Sequence, residues 1–503
     1  MNRHTSFVLT ALIVPCLVCF AADETAAPSL TIYNQNFAVV RQEVPLDLKA
    51  GTTSVRVTDI TMHLEPDSVI LRDPSGKRPL QVLEQNYRAD PVSEALLLSL
   101  YEGKTIDFLV QRGDKQEVVP GKIIRSGYVP HNPMAIYGQY DQSQMAQAGQ
   151  PIIEMDGKVR FGLPGTPLFP ALADDAILKP TLQWLLASDK AGPLRAEFSY
   201  VTGGLTWEAD YNIVAPEKGD AVDIVGWVTM NNQSGKDFEN ARIKLMAGDV
   251  NKIQPGQQFD RLQQFAALGG AVGGTMAPAV TEKAFDEYHL YNLARSTTLH
   301  DGETKQVEFV RAANVATRQL YIYDGLKIDP NRYRGWNQET IRSNSEYGTE
   351  SNPKIWLMRE FVNSEASHLG MPLPKGRVRF YRRNDDGQME FTGENVIDHT
   401  PRDEKIRVYT GNAFDLAGER RRTEYKLDMN KHMLDESFEI KVRNHKKEPV
   451  DVRVVEHLYR WITWDVPTHS DPFNKTDSKT IEFPVTIAPD EEKTITYTAH
   501  YSW

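Results

Sequence analysis

Short runs of alternating hydrophobic and polar residues cover most of the chain, and turn residues separate them. The first runs lie at residues 30–33, 38–46, 54–57, 68–71 and 80–83, are β-branched or alternating, and end at Gly, Asp, Asn or Pro. A period of two between turn residues is typical of β-strands. The pattern predicts a mainly β protein whose N-terminal region is a β-sandwich or a small barrel.

A second group of β-rich runs follows at residues 104–110, 118–124 and 152–161. Their spacing predicts a small barrel-like unit. A long polar stretch at residues 130–150 lies between the strands, and we expect a short helix or a loop there. A Pro-rich segment at residues 163–170 then marks a domain boundary.

The chain beyond this boundary predicts two further β units. The N-terminal β domain covers residues 22–175, and two sandwich parts follow at 176–330 and 354–503. Strand, polar turn, strand patterns recur in both parts and are typical of immunoglobulin-like modules. A Gly/Ala/Gln-rich stretch at 254–280 has the composition of a flexible linker or lid.

The N-terminus has the pattern of a secretory signal peptide. Arg3 precedes an apolar run at residues 7–20 that is too short to span a membrane comfortably, and small residues follow it. We expect cleavage after Ala21, and therefore export to the periplasm. A lipid anchor or an outer-membrane location is the alternative. A lipid anchor is disfavoured, because Cys16 and Cys19 do not follow the Leu and small residues that precede a lipoprotein cysteine.

Charge and cysteine content limit which partners and sites the protein can have. The chain has 57 Lys and Arg against 68 Asp and Glu, a formal net charge of -11. Nucleic-acid binding depends on cationic contacts to phosphate, so we expect no nucleic-acid partner. Both cysteines lie in the leader, which excludes disulfides, thiolate metal sites and a cysteine nucleophile from the mature chain. No later apolar run reaches the length of a transmembrane helix.

Several segments carry a family resemblance. They are Gly203 to Tyr211, Gly226 to Asp237, Ala247 to Asn251, Pro372 to Tyr381, Gly393 to Pro401, Gly411 to Asp415 and Tyr497 to Trp503. With them the chain resembles the bacterial domain of unknown function 4139 family, also called the mucoidy inhibitor family, over most of its mature length. The resemblance implies no catalytic residue, substrate or cofactor.

One short span gathers groups that could do chemistry. Glu394, Asp398 and His399 lie close in sequence and could bind a divalent cation or act as general acid and base, if the fold brings them together. The alternative is a charged connector whose side chains pair with each other and cap turns. No nucleophile elbow, phosphate loop or dinucleotide motif is present, so we predict no cofactor.

The weak binding candidates are Tyr459, Trp461 and Arg421. If residues 458–464 form one strand, Tyr459 and Trp461 share a face, and they could form a sugar platform or belong to a sandwich core. Arg421 lies in a run of three arginines that could hold an anion. The run alternates faces on a strand, and we expect Glu404, Glu419 and Glu424 to neutralise it.

The last strand leaves one further alternative. Residues 494–503 alternate between apolar and polar and end in an aromatic residue, which is typical of an outer-membrane barrel and equally of a half-buried sandwich strand. The sequence therefore predicts an exported, non-enzymatic cell-envelope protein that binds a protein or glycan partner. The alternatives are an envelope hydrolase or metal-dependent enzyme using Glu394, Asp398 and His399, and an outer-membrane barrel.

Overall fold

The computed structural model describes residues 26–89, 92–113, 115–129, 149–171, 178–248, 250–252, 280–285 and 288–503. The predicted signal peptide, the predicted linker apart from its last residue and most of the polar stretch at 130–150 lie outside the described residues.

The prediction of a mainly β protein is confirmed, since 59% of the structure is strand and 5% is helix. The strands of the first part are β1 Ser29–Tyr33, β2 Phe37–Leu48, β3 Gly51–Thr58, β4 Ile70–Arg72, β5 Leu80–Arg88, β6 Thr105–Arg112, β7 Lys115–Arg125, β8 Ile152–Met155, β9 Lys158–Phe161, β10 Thr166–Leu168, β11 Thr181–Ser188 and β12 Gly192–Gly203. The next are β13 Leu205–Ala215, β14 Val222–Asn232, β15 Phe238–Ala247, β16 Val280–Phe285, β17 Tyr288–Leu293, β18 Thr297–Leu299, β19 Thr304–Val315, β20 Arg318–Asp324 and β21 Trp356–Val362.

The C-terminal strands are β22 Gly376–Arg383, β23 Met389–Ile397, β24 Lys405–Asn412, β25 Leu416–Asp428, β26 Met433–Asn444, β27 Val450–His457, β28 Trp464–His469, β29 Asn474–Lys475, β30 Thr480–Ile487 and β31 Glu492–Ser502. The helices are α1 Glu94–Leu100 and α2 Gln338–Ser343, with 3-10 turns at Pro66–Ser68 and Glu365–Ser367.

The largest sheet joins strands from both sides of the boundary predicted at residue 175. Its order is β16-β17-β15-β1-β2-β12-β4, with β18 added beside β15. Strand β1 pairs in parallel with β15, and β2 pairs along its full length with β12. Strand β11 also pairs with β3 and β5. These pairings bury alternate apolar residues of the first strands, so the N-terminal strands complete the sheet of the following region.

A five-stranded sheet, β19-β14-β13-β22-β23, shares the first core with the largest sheet. The core includes Leu30, Trp184, Phe198, Trp207 and Tyr211, all at most 3% exposed. Their ring contacts include an edge-on contact of Trp184 with Phe198, with ring centroids 5.1 Å apart. This core contains residues from both sides of the limit predicted at residue 175.

Two further sheets form the C-terminal sandwich around a second core. Their orders are β24-β21-β20-β27-β30-β29 and β25-β26-β31-β28. Strand β20 lies before the limit predicted at residue 330, yet it pairs in parallel with β27. Alternate residues of β31, from Ile495 to Tyr501, face this core and are at most 3% exposed. The immunoglobulin-like assignment of these modules stays a prediction.

A small unit has a hydrophobic core of its own. Its five-stranded sheet has the order β10-β6-β7-β8-β9, and α1 packs against it. The hydroxyl of Ser93 caps α1 by accepting a hydrogen bond from the Leu96 backbone at 3.2 Å. Its core contains Leu98, Ile106, Phe108, Ile123 and Ile153.

The helices of the described residues include none with the length and hydropathy needed to cross a membrane.

Candidate functional site

The structure places Glu394 apart from Asp398 and His399. Glu394 lies on β23 opposite Arg379, with 3.9 Å between the carboxylate and the guanidinium. Asp398 follows the strand, is 91% exposed and lies 3.6 Å from the Lys375 ammonium. Four residues of extended chain separate the Glu394 and Asp398 Cα atoms by about 13 Å.

His399 joins Asp398 at the same lysine. Its Nδ1 accepts a hydrogen bond from the Lys375 backbone at 3.1 Å. Among the described residues, no group of three or more His, Asp or Glu side chains is arranged to hold a metal ion. A catalytic role for these residues stays a prediction, and the geometry gives two separate ion pairs in place of one converging set.

Tyr459 and Trp461 lie on a connection and not on a strand. Strand β27 ends at His457 and β28 begins at Trp464, so the predicted strand over 458–464 is wrong. The connection lets Tyr459 turn toward Tyr347, with ring centroids 5.4 Å apart, while the Arg460 guanidinium lies 5.2 Å from its ring. Burial, reinforced by the Glu436 carboxylate, raises the pKa of Tyr459.

Trp461 belongs to a stack of aromatic rings and a cation. The Arg342 guanidinium lies 4.9 Å from the Trp461 ring and 4.2 Å from the Trp503 ring. Both distances are within the range of cation–π contacts. Arg342 is on α2, whose first turn is capped by the Asn337 side chain, and its Nε is buried without a hydrogen-bond partner in the described structure. The two indoles therefore hold the helix through its cation.

Arg421 lies on the outward face of β25. Its side chain is 65% exposed and forms a 2.9 Å ion pair with Glu439 of β26. Arg420 and Arg422 point the other way, as the predicted alternation requires. The neutralising carboxylates are Glu439 and Glu436 of the adjacent strand β26 and Glu456 of β27 in the other sheet, and not Glu404, Glu419 and Glu424 as we expected. The fold pairs each cation with a carboxylate of another strand.

Two ion pairs are buried in the C-terminal core. The Arg420 Nε lies 2.8 Å and 3.0 Å from the two oxygens of Glu456, and Tyr497 donates to the same carboxylate at 2.5 Å. Burial alone would lower the pKa of Arg420, but Glu456 outweighs it and leaves that pKa well above its ordinary value. The Arg420 guanidinium therefore keeps its charge inside the protein, against the Glu456 carboxylate.

The second pair joins Arg460 to Glu436, and both side chains are fully buried. Arg422 also reaches Glu436, at 3.3 Å. Removing a charge from water without a partner costs several kcal/mol, so each of these residues depends on its counter-ion.

The buried arginines also hold the polar insert at residues 329–353. Arg460 donates to the backbone carbonyls of Ile341, Asn344 and Tyr347, the last two at 2.7 Å and 2.9 Å. Arg420 donates to the carbonyl of Gly348 at 2.8 Å. The insert therefore lies against the C-terminal sandwich, and its backbone supplies acceptors for the buried arginines.

The comparison with protein families agrees with the sequence resemblance. A family described as a domain of unknown function, DUF4139, matches residues 196–503. The chain belongs to this family. No curated protein matches the chain, and no solved structure does either.

The DUF4139 region contains both buried ion pairs, the polar insert and the stacked tryptophans. It begins within β12, so strands β1 and β2, which pair with its sheet, lie outside the matched residues. The sequence carries a signal for the ion pairs. Glu436 stands in the inward register of β26 between Leu434 and Phe438, where a carboxylate requires a buried partner.

Proposed function

We propose that this DUF4139 protein is exported and acts in the cell envelope as a non-enzymatic protein that binds a protein partner. The leader pattern of residues 1–21 supports export. A binding role is supported by the separation of Glu394 from Asp398 and His399, because acid/base chemistry requires groups within hydrogen-bond reach of one substrate.

The observation that carries the proposal is the outer face of the small five-stranded sheet. We use this name for the face opposite the one that carries Phe108 and Ile153. Register places Val118 beside Leu109, and Phe161 beside Ile152, on this face. Val118, Val159 and Phe161 are 55%, 60% and 69% exposed. Val159 and Phe161 are neighbours on this face, and exposed apolar side chains grouped in this way mark surfaces for protein association.

A protein partner fits better than a glycan. Sugar binding uses an open aromatic face, and the rings predicted for it are occupied. Tyr459 packs against Tyr347, and Trp461 faces the Arg342 guanidinium. The outer face has exposed apolar side chains, and the register places Asp107, Lys122 and Glu154 on the same side. Apolar area mixed with charged groups is typical of protein interfaces.

Export is tested first. The full chain is expressed with its leader in a Gram-negative host, released by osmotic shock and weighed by intact mass spectrometry. We expect release of a chain cleaved near Ala21. A chain that keeps its leader and stays with the cytoplasmic fraction contradicts export.

Binding is tested by photo-crosslinking in the same cells. A photoreactive phenylalanine analogue replaces Phe161 on the outer face, and the control carries it at Phe414, which is 99% exposed in the C-terminal region. We expect a discrete protein adduct from position 161 alone. No adduct at position 161 contradicts the proposal, as does a reproducible hydrolytic turnover that Asp398→Ala or His399→Ala abolishes.

A further inference from the structure

Strand β9 forms one edge of the small sheet. Among the described residues, β9 pairs with β8 on one side and with no strand on the other. The opposite edge strand, β10, contains Pro167, which has no N–H to offer another strand. Strand β9 contains no proline, and all four of its residues are exposed.

The register shows which backbone groups face outward. Gly162 donates its N–H to the Pro151 carbonyl at 2.7 Å, so residues 151 and 162 form a hydrogen-bonded pair. Such pairs alternate along an antiparallel ladder, so Arg160 and Lys158 direct their N–H and C=O groups toward β8. Val159 and Phe161 therefore direct theirs toward the free edge.

The side chains of β9 divide by charge between the two faces. Val159 and Phe161 lie on the outer face, while Lys158 and Arg160 lie on the face of Ile153. An added strand would place its side chains next to the same two rows. A matching strand thus has apolar residues opposite Val159 and Phe161 and acidic residues opposite Lys158 and Arg160.

The same charges oppose pairing between two copies of β9. The outward hydrogen-bonding groups permit two-fold pairing about Val159, which sets Lys158 opposite Arg160, or about Arg160, which sets Arg160 opposite itself. In both registers the cations occupy non-hydrogen-bonded positions, where Cα atoms approach to about 4.5 Å. Like charges at this position are destabilising, so these two registers are disfavoured and an acidic strand is favoured.

We propose that the free edge of β9 binds an extended segment of a protein partner in which acidic and apolar residues alternate, adding it to the sheet as a further strand. The inference rests on the proposed function and deepens it. Main-chain hydrogen bonds to Val159 and Phe161 supply affinity, and the two rows of side chains supply selectivity.

The test uses the full mature chain and short labelled peptides, with binding measured by fluorescence anisotropy. One peptide alternates Glu and Val, and its control alternates Lys and Val. We expect the Glu peptide to bind about tenfold or more tightly than the Lys peptide, and to weaken as salt is raised. Changing Lys158→Glu and Arg160→Glu together should reverse the preference.

A backbone variant separates strand addition from simple charge attraction. Val159→Pro removes an outward N–H that β8 does not use, so the sheet is retained while the edge is blocked. Val159→Thr keeps the N–H and serves as its control. We expect the proline variant to bind the Glu peptide about tenfold less tightly or worse, and the threonine variant to bind it nearly as well as the wild type.

Equal binding by the proline variant and the wild type, or a peptide preference that the charge reversal leaves unchanged, overturns strand addition. A crosslink from position 161 that persists in the Val159→Pro protein also overturns it, while the proposed protein-binding function stands. If the protein with the photoreactive residue at position 161 and no other change gives no crosslink, both the strand addition and the proposed protein-binding function are contradicted.

Discussion

Arg460 and Glu436 form a bidentate ion pair with both side chains fully buried. The Arg460 Nη2 lies 2.8 Å from one carboxylate oxygen and its Nε lies 3.0 Å from the other. The same guanidinium donates to three carbonyls of the polar insert, so it links the core of the C-terminal sandwich to a segment outside its sheets. Loss of this side chain should therefore act both on the core and on the insert.

We expect Arg460→Met to lower the free energy of unfolding by about 3–5 kcal/mol, because it leaves buried carboxylate charge with Arg422 as its remaining close cation. Urea unfolding followed by fluorescence measures the loss, and limited proteolysis should cut residues 329–353 first. Arg421→Met is the control. Its exposed pair should change stability by no more than about 0.5 kcal/mol. Equal losses in the two variants would contradict this account of the insert.

Gly348 is a second anchor of the insert. Its φ is +74°, which favours glycine, and an added Cβ would overlap the Tyr459 ring. Gly335 is a matched control in the same insert, since its φ is +83° and its Cβ would meet open space. Both alanine variants carry backbone strain, but Gly348→Ala must also displace a packed ring. We expect it to cost about 1–3 kcal/mol more than Gly335→Ala in thermal or urea unfolding. Equal losses of unfolding free energy in the two variants would mean that only the positive φ, and not contact with the Tyr459 ring, requires glycine at position 348.

The alternation of apolar residues predicted the strands because each strand buries one face. In β31, Ile495, Tyr497 and Tyr501 all point into the core. Strand partners could not be predicted in the same way, since a local pattern does not specify which distant strand covers it. Strand β1 pairs with β15 across the predicted domain limit, and β20 with β27 across the next. The limits were drawn from composition, whereas the sheets follow long-range pairing.

In the candidate site, too, the local strand geometry was predictable and the long-range partners were not. The alternation of Arg420, Arg421 and Arg422 follows from strand geometry, and it is present on β25. Their partners come from β26 and β27, which sequence proximity does not reveal. A strand over residues 458–464 would put Tyr459 and Trp461 on one face. Arg460 instead interrupts this stretch, and its buried pair with Glu436 fixes the connection.

His457 should make stability depend on pH. Its Nε2 lies 2.9 Å from the Asp324 carboxylate, and this hydrogen bond raises the pKa of His457 above its ordinary value of 6.5. A raised folded-state pKa means that the protonated form is favoured in the native protein. The contribution of this pair to the free energy of unfolding is complete below the pKa that His457 has in the unfolded chain. It is lost as pH rises through the pKa that His457 has in the folded protein.

We therefore expect His457→Gln to destabilise the protein more at about pH 5.5 than at about pH 9, on either side of the ordinary histidine range. Denaturant unfolding at the two pH values provides the measurement. His300→Gln is the control, because its side chain is 60% exposed and lies 3.7 Å from Asp237, where solvent screens the pair. A loss that grows toward high pH would reverse the sign and refute the ion-pair explanation.

Arg342 should control the environment of two tryptophans. Its guanidinium lies near the rings of Trp461 and Trp503, and no acceptor in the described structure bonds its Nε. We expect Arg342→Gln to cost about 1–2 kcal/mol, since two partly desolvated cation–π contacts are lost. Tryptophan emission should move to longer wavelength because water reaches the indoles.

Arg342→Lys and Arg334→Gln separate charge from stacking and from general effects on the insert. Lysine retains the charge but lacks the planar group that stacks on a ring, so an intermediate loss is expected. Arg334 is an exposed residue of the same insert, and its change should leave the emission unaltered. Combining Arg342→Gln with Trp503→Phe should reduce the spectral shift, because one of the two reporting indoles is gone. A full shift in that double variant would show that Trp503 is not part of the stack, and α2 would then be held by the Arg460 hydrogen bonds to the Ile341 and Asn344 carbonyls.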